Sequence, residues 1–311
     1  MAVQFRNTDY LMGYNFINEP GTSHILECDN GAVGCPLTEE KIQAFEQNVL
    51  AGIREADPVS TPGSADTERA GIGVFEPPNL SGTSGAPTGF GDVPVTDPKV
   101  AWSVHIYCGN FAQPVPGQRM CNQMMQPAFD GTGSVGGATR NAAHLTGADR
   151  DSSRDPAPQL MSEFGSSTDP TVIDDTLDLA DARFVSWSYW EYKGFDDAWR
   201  VGLFANGSDE QCACFNSPSP RADVLIRPYA QATAGMPVRY SYDDQARVLT
   251  YAYQSSGDQS LDTVIVVPAY YAPNGYNVSV TNGRVVSPPG SLYLKVLPTS
   301  SGQITVTVTP L

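Results

Sequence analysis

The chain has 311 residues, 41% of them hydrophobic, and its formal net charge is −16; this is enough for a sizeable core in one large or two ordinary domains. That acidity argues against nucleic acid or an anionic membrane surface as the main partner. No apolar run is long enough for a transmembrane helix, and Met1-Ala-Val-Gln-Phe-Arg6 is not the basic start and apolar block of a signal peptide.

The first predicted element is a buried strand over residues 11–18, stopping at Asn18-Glu19-Pro20. A helix follows over 38–55, with Ile42, Phe45, Val49 and Ile53 at helical spacing and Thr38 as its N-cap. Gly71–Glu76 reads as a strand stopped by Pro77-Pro78, and Val100–Tyr107 as another. Residues of about 108–155 are Gly-, Ser- and Pro-rich without periodicity, as in an extended active-site loop. Within it Phe111–Ala142, with Met120, Met124, Met125 and Phe129, is a candidate apolar surface, ordinary loop packing being the alternative. A strand over 159–163 then ends on Glu163, Asp174–Asp181 is a helical patch, and Phe184–Tyr192 is an aromatic strand.

After about residue 222 the runs become short, β-branched and aromatic: 224–229, 238–242, 248–253, 263–267, 276–280 and 303–309. Turn residues such as Asn282-Gly283 separate them, which predicts an antiparallel β-sandwich over 223–311. Residues 1–222 interleave about five strands with helices. A closed (β/α)8 TIM barrel needs eight, so the expectation is an α/β chain lacking about its first three β/α units, a fragment or a mis-started gene model.

Six cysteines fall in local groups, Cys28/Cys35, Cys108/Cys121 and Cys212/Cys214. Local pairs fit loop-stapling disulfides in an oxidising compartment, with Cys28, Cys35, Cys108 and Cys121 the better candidates; free thiols are the alternative. Cys212-Ala-Cys214 would make a tight, strained bridge. With no Cys-x-x-Cys and no companion histidine pair, the pattern does not suit zinc.

Cleavage of a glycosidic bond needs two carboxyl groups flanking it, and barrel enzymes place such groups at strand ends. Glu19 and Glu163 each close a predicted strand. Asn18 is placed to meet a sugar 2-hydroxyl, His105 and Tyr107 share one strand face, and Trp190 ends the last barrel strand. Each motif alone is ordinary: Asn-Glu-Pro is a common turn, and a lone His or Trp usually belongs to a core. Their order along the chain carries the information. His24 and His144 sit in loop contexts without a nucleophile elbow, so no hydrolase triad is expected.

Asn18-Glu19-Pro20, His105-Ile-Tyr107, Glu163-Phe-Gly165 and Trp187-Ser-Tyr-Trp190-Glu-Tyr-Lys193 together resemble glycoside hydrolase family 5, of the retaining cellulase superfamily. Trp187–Lys193 with Leu225–Gly235 looks most like its endoglycoceramidase branch. Members of that branch carry a β-sandwich after the barrel and hydrolyse the bond between glycan and ceramide in glycosphingolipids. The resemblance implies Glu19 as acid/base, Glu163 as nucleophile, Asn18 as the 2-hydroxyl contact, His105 and Tyr107 as partners of the nucleophile, and Trp190 as sugar platform. It implies no cofactor and no metal, a glycolipid or oligosaccharide substrate, at most transient contact with a membrane or micelle, and a monomer; paired cysteines, acidity and an extracellular type of substrate favour secretion. The alternatives are another family 5 β-glucosidase, acting on glucosylceramide, a steryl glucoside or a β-glucan, and an inactive glycolipid-binding remnant.

Overall fold

The computed structural model describes residues 2–5, 11–20, 36–57, 71–78, 90–107, 126, 129–130, 137–165, 167, 169–191 and 221–311. All six cysteines lie outside the described residues, as do Met120, Met124, Met125 and His24.

The chain divides into two compact units. The first is built on α1 (Ala2–Phe5), β1 (Gly13–Asn15), α2 (Pro36–Ala56), β2 (Ile72–Phe75), β3 (Val100–Ile106), α3 (Gly137–Thr146), β4 (Gln159–Gly165) and β5 (Ser186–Trp190). The five strands form one sheet in chain order, and the β1–β2, β2–β3 and β3–β4 pairs run parallel. Parallel strands laid down in chain order with helices between them are the arrangement of consecutive β/α-barrel units. Every residue of β3 is buried, the signature of a strand covered on both faces.

Two strand ends differ from the sequence-based expectation. β1 stops at Asn15, so Glu19 lies four residues past the strand, on a bend. β4 continues to Gly165, so Glu163 lies inside it. The aromatic strand shortens to Ser186–Trp190.

Helix α2 begins at Pro36, which places Thr38 inside the helix rather than at its cap. Its buried face is also turned by one residue from the apolar series. Gln43, Glu46 and Leu50 are buried with Asp57 just beyond, while Phe45 is 48% exposed. Most polar groups of that face meet backbone, although Glu46 Oε2 has no hydrogen-bond partner and Arg54 also pairs with Asp97. Gln43 binds Gly91 N–H and Val93 C=O, Glu46 accepts Glu76 N–H, Arg54 donates to Gly71 and Lys99 C=O, and Asp57 accepts Gly71 N–H. Buried polar groups are retained where such partners exist. Leu50 packs on Gly73 of β2, where an added Cβ would stand 2.8 Å from its Cδ1.

Helix α3 lies within the stretch expected to be loop. It buries Ala138, Ala142 and Leu145, a face too small in side-chain volume to register as an apolar stripe. His144 sits on this helix, not in a loop, with its ring between Asp149 (2.7 Å) and Asp92 (3.2 Å). Phe129 is fully buried, so it packs inside and adds nothing to an apolar surface.

The second unit contains α4 (Pro170–Asp181), α5 (Ala222–Leu225) and strands β6 (Tyr229–Ala232), β7 (Met236–Asp243), β8 (Val248–Ser255), β9 (Thr263–Val266), β10 (Tyr276–Thr281), β11 (Gly283–Val285), β12 (Tyr293–Pro298) and β13 (Gly302–Pro310). Asp169 caps α4 by accepting Thr171 N–H at 2.9 Å, and Pro170 opens the helix four residues before the predicted Asp174. Val224-Leu225, expected to begin a strand, is helical in α5.

The strands make two antiparallel four-stranded sheets, ordered β10-β13-β8-β7 and β11-β12-β9-β6. Alternate residues point inward: Leu249, Tyr251 and Tyr253 from β8, Leu294 and Val296 from β12, Ile304, Val306 and Val308 from β13. Each such aliphatic side chain contributes about 1.5–3 kcal/mol through its burial. Asn282, at φ +57°, hands the chain from β10 in one sheet to β11 in the other. Arg227 is buried, its Nη2 2.5 Å from Asp181 and its guanidinium over the Tyr242 ring.

Candidate active site

The parallel strands of the first unit bring four of the predicted residues together at their C-terminal ends. His105 is the hub. Its Nδ1 lies 2.8 Å from Glu19 Oε1 and 3.1 Å from Glu163 Oε2. Tyr107 donates its hydroxyl to Glu163 Oε2 at 2.7 Å. Asn18 is exposed on the bend beside Glu19, and Trp190, which closes β5, is 45% exposed.

A β-bulge makes the His105–Glu163 meeting possible. Val104 pairs with Met161 but His105 pairs with Glu163, so Ser162 is an extra residue in β4. The bulge presents Ser162 and Glu163 to the same neighbours: Ser162 Oγ is 2.5 Å from Ser103 Oγ while Glu163 reaches His105. Re-aiming a side chain this way is a common use of bulges beside active sites.

The sequence reading missed a third carboxylate. Glu76 follows β2 directly and is 3% exposed. Its Oε1 accepts the backbone N–H of Glu19 at 2.5 Å and lies 3.3 Å from His105 Nε2. Its Oε2 accepts from Asn15 Nδ2 at 2.6 Å and from Ser103 Oγ at 3.2 Å. A glutamate immediately before Pro77-Pro78 at a strand end is the same signal that singled out Glu19 and Glu163. Asn15 gave no such signal, because nothing in the sequence distinguishes it from an ordinary strand-end residue.

The charge balance follows from these contacts. Burial disfavours the His105 imidazolium, but Glu163, Glu76 and Glu19 outweigh it and push the ring up to about 10. Burial also raises Glu163, yet His105 and Tyr107 hold its carboxyl below the usual range. Glu76 is likewise held low against burial, by His105, Asn15 and the Glu19 amide. Behind it Glu46, desolvated under α2, is pushed up to about 9 and stays protonated at neutral pH.

One oxygen each from Glu19 and Glu163 and a His105 nitrogen lie within 4.8 Å of one another, a set of the size that can take a cation. A doubly protonated imidazole accounts for all three carboxylate contacts by hydrogen bonding alone, since both ring nitrogens face acceptors.

Residues 1–196 match the family model described as cellulase, glycosyl hydrolase family 5, and residues 227–308 match that of the family 5 C-terminal domain. The chain belongs to glycoside hydrolase family 5. Among curated proteins it is similar to endoglycoceramidase I of Rhodococcus hoagii (strain 103S), 28% identical over 303 residues, covering 96% of this chain and 53% of the relative. Among solved structures it is similar to endo-glycoceramidase II from Rhodococcus sp. (TM-score 0.70, 22% identity), covering all of this chain and 62% of the other. That protein has also been solved as a lactosyl-enzyme intermediate and with ganglioside GM3. Sterylglucosidase 1 of Cryptococcus neoformans shares the fold more distantly (TM-score 0.58, 16% identity), covering 86% of this chain and 44% of that one. The chain thus spans about half the length of its curated relative.

Proposed function

We propose that this family 5 chain belongs to a retaining β-glycosidase that hydrolyses the bond between glycan and lipid in glycosphingolipids. The observation that carries the reading is the pair of carboxylates sharing one imidazole nitrogen, their nearest ligating oxygens within 4.8 Å. Retaining glycosidases hold their two carboxyl groups about 5–5.5 Å apart, whereas inverting ones leave room for a water between groups about 6.5–9.5 Å apart.

Glu163, ionised and fixed by Tyr107 and His105, attacks the anomeric carbon. Glu19 protonates the leaving oxygen. Glu19 then acts as base for the water that releases the sugar from Glu163. Asn18 meets the 2-hydroxyl, and Trp190 is the sugar platform. The glycolipid substrate rests on the relatives' names and on the ganglioside complex of one of them. A secreted protein belongs to the same reading, for which the acidic charge and the six cysteines in local pairs speak; a monomer in transient contact with a micelle or membrane is proposed with it.

Side-by-side hydrolysis of a ganglioside, glucosylceramide, a steryl glucoside and a soluble β-glucan tests the substrate class. Release of intact oligosaccharide from the ganglioside is the expected result, and preference for any of the other three reassigns it. Mass spectrometry with a 2-deoxy-2-fluoro glycoside tests the mechanism. A glycosyl adduct on Glu163, absent in E163Q, is expected; an adduct elsewhere removes Glu163 as nucleophile.

A further inference from the structure

We infer that Glu76 is a positioning residue of this site: its one buried carboxylate seats the backbone of Glu19 and keeps His105 a cation between Glu19 and Glu163. The inference rests on the reading of Glu19 and Glu163 as the reacting pair.

Three observations carry it. First, Glu76 receives four bonds or contacts, from Asn15, Glu19 N–H, Ser103 and His105, which is as many as a carboxylate usually accepts. At 3% exposure it has no room to touch a sugar, so it acts through other groups. Second, Glu19 holds φ at +44°, in the left-handed region where a residue with a Cβ is costly. The Glu76 bond to its amide, at 2.5 Å, opposes that cost and aims the Glu19 side chain at His105. Third, both nitrogens of His105 face carboxylates. Glu19 past β1 and Glu163 on β4 face Nδ1, and Glu76 past β2 faces Nε2. Tyr107, beyond β3, donates to Glu163, and Glu46 on α2 lies behind Glu76 and accepts its amide.

Without Glu76, a neutral ring with its proton on Nδ1 would still serve Glu19 and Glu163. The Nε2 contact is therefore what makes the second proton favourable. A charged ring beside Glu163 favours the ionised form that must attack. Glu46 next door is neutral at pH 7 and adds no such charge.

The test is a long-range ¹H–¹⁵N correlation spectrum of the labelled chain over pH 5–10. The chain has only three histidines, so H24Q and H144Q variants leave the His105 ring as the remaining signal. In the wild-type chain both His105 nitrogens are expected to stay protonated beyond pH 8. In E76Q, which keeps the shape and an acceptor for the Glu19 amide, the midpoint is expected to fall by at least two pH units, while E46Q leaves it where it was. An unchanged midpoint in E76Q overturns the inference, as does a drop of the same size in E46Q. Should E76Q fail to fold, the wild-type spectrum decides: a singly protonated ring at pH 7 overturns the inference, and an imidazolium there supports it. None of these readouts requires turnover. If E163Q retains normal hydrolysis, the nucleophile reading fails; if E163Q abolishes it while the His105 midpoint ignores Glu76, only the role of Glu76 fails.

Discussion

His105 faces Glu163 because β4 carries one residue more than β3 between Met161 and Glu163. The extra residue is Ser162, and its hydroxyl meets Ser103 one step further back along β3. A regular strand would have set Ser162 opposite His105 and turned Glu163 to the other face, since side chains alternate. The bulge is therefore what converts two neighbouring strands into one ionic site.

Replacing His105 by glutamine should show what the cation does. Glu163 is held below the usual carboxylate range by His105 and Tyr107, and H105Q removes the charged donor. The acid limb of kcat/KM should move up by about one pH unit or more, because Glu163 must be ionised to attack. A pH–rate profile of H105Q with an unmoved acid limb contradicts this account.

E19Q should separate the two carboxylates by leaving group. On a glycolipid, whose leaving oxygen needs a proton, loss of general acid catalysis is worth about 10²–10⁴-fold in kcat. An aryl glycoside with an acidic phenol needs no such proton in the first step. Glycosylation of Glu163 by that substrate should be nearly unimpaired, visible as a burst of phenol in stopped flow. Equal losses on both substrates would remove Glu19 as the acid.

Stability should fall on the alkaline side. In the folded chain His105 is pushed up to about 10 and Glu46 up to about 9, from ordinary values of 6.5 and 4.5. Both shifts are upward, so the folded chain holds protons that the unfolded chain releases. The stabilisation is full below 6.5 for His105 and below 4.5 for Glu46, and is lost as pH rises through about 10 and about 9. Between pH 7 and 9 the unfolding temperature should drop by about 5 °C or more. Fluorescence follows it, since Trp102 and Trp187 both belong to the first unit. E46Q should flatten the slope and exceed the wild-type chain in stability at pH 9; a slope identical to wild type would mean Glu46 is ionised in the fold.

In the second unit, R227M should destabilise by about 3–5 kcal/mol, because Asp181 is left buried without its partner. Burial already pushes Asp181 up to about 7 in spite of Arg227. Adding D181N to R227M should therefore recover part of the loss in urea titrations. A double variant no better than R227M would place the cost in the lost stacking on Tyr242 instead.

Glu19, His105, Tyr107 and Glu163 were legible because the order of their motifs follows successive strands. Parallel neighbours bring them together even though Glu19 lies past β1 and Glu163 inside β4. Glu76 carried the same strand-end signal but stands outside the acid and nucleophile pair, so its chemistry emerged only with its four contacts. The face of α2 was misread for a physical reason. Hydrophobic periodicity assumes that buried means apolar, and Gln43, Glu46 and Asp57 are buried on backbone partners. Helix α3 escaped because alanines bury little volume. Val224-Leu225 read as strand by β-propensity, although it forms a single helical turn. The alternating strands of the sandwich were clear, and the missed β11 and β12 are respectively three residues long and interrupted by Lys295.

The joint between α2 and its neighbours has an asymmetric tolerance to mutation. Gln43, Glu46 and Asp57, and two of the bonds of Arg54, grip main-chain atoms at positions 71, 76, 91, 93 and 99. A peptide group is the same whichever side chain it bears. The gripped positions can therefore drift in sequence as far as this joint is concerned, whereas each gripping residue is confined to a side chain of the same length and polarity. A library randomising both sides should recover wild-type letters at 43 and 57, Glu or Gln at 46, and a mixture at 93 and 99.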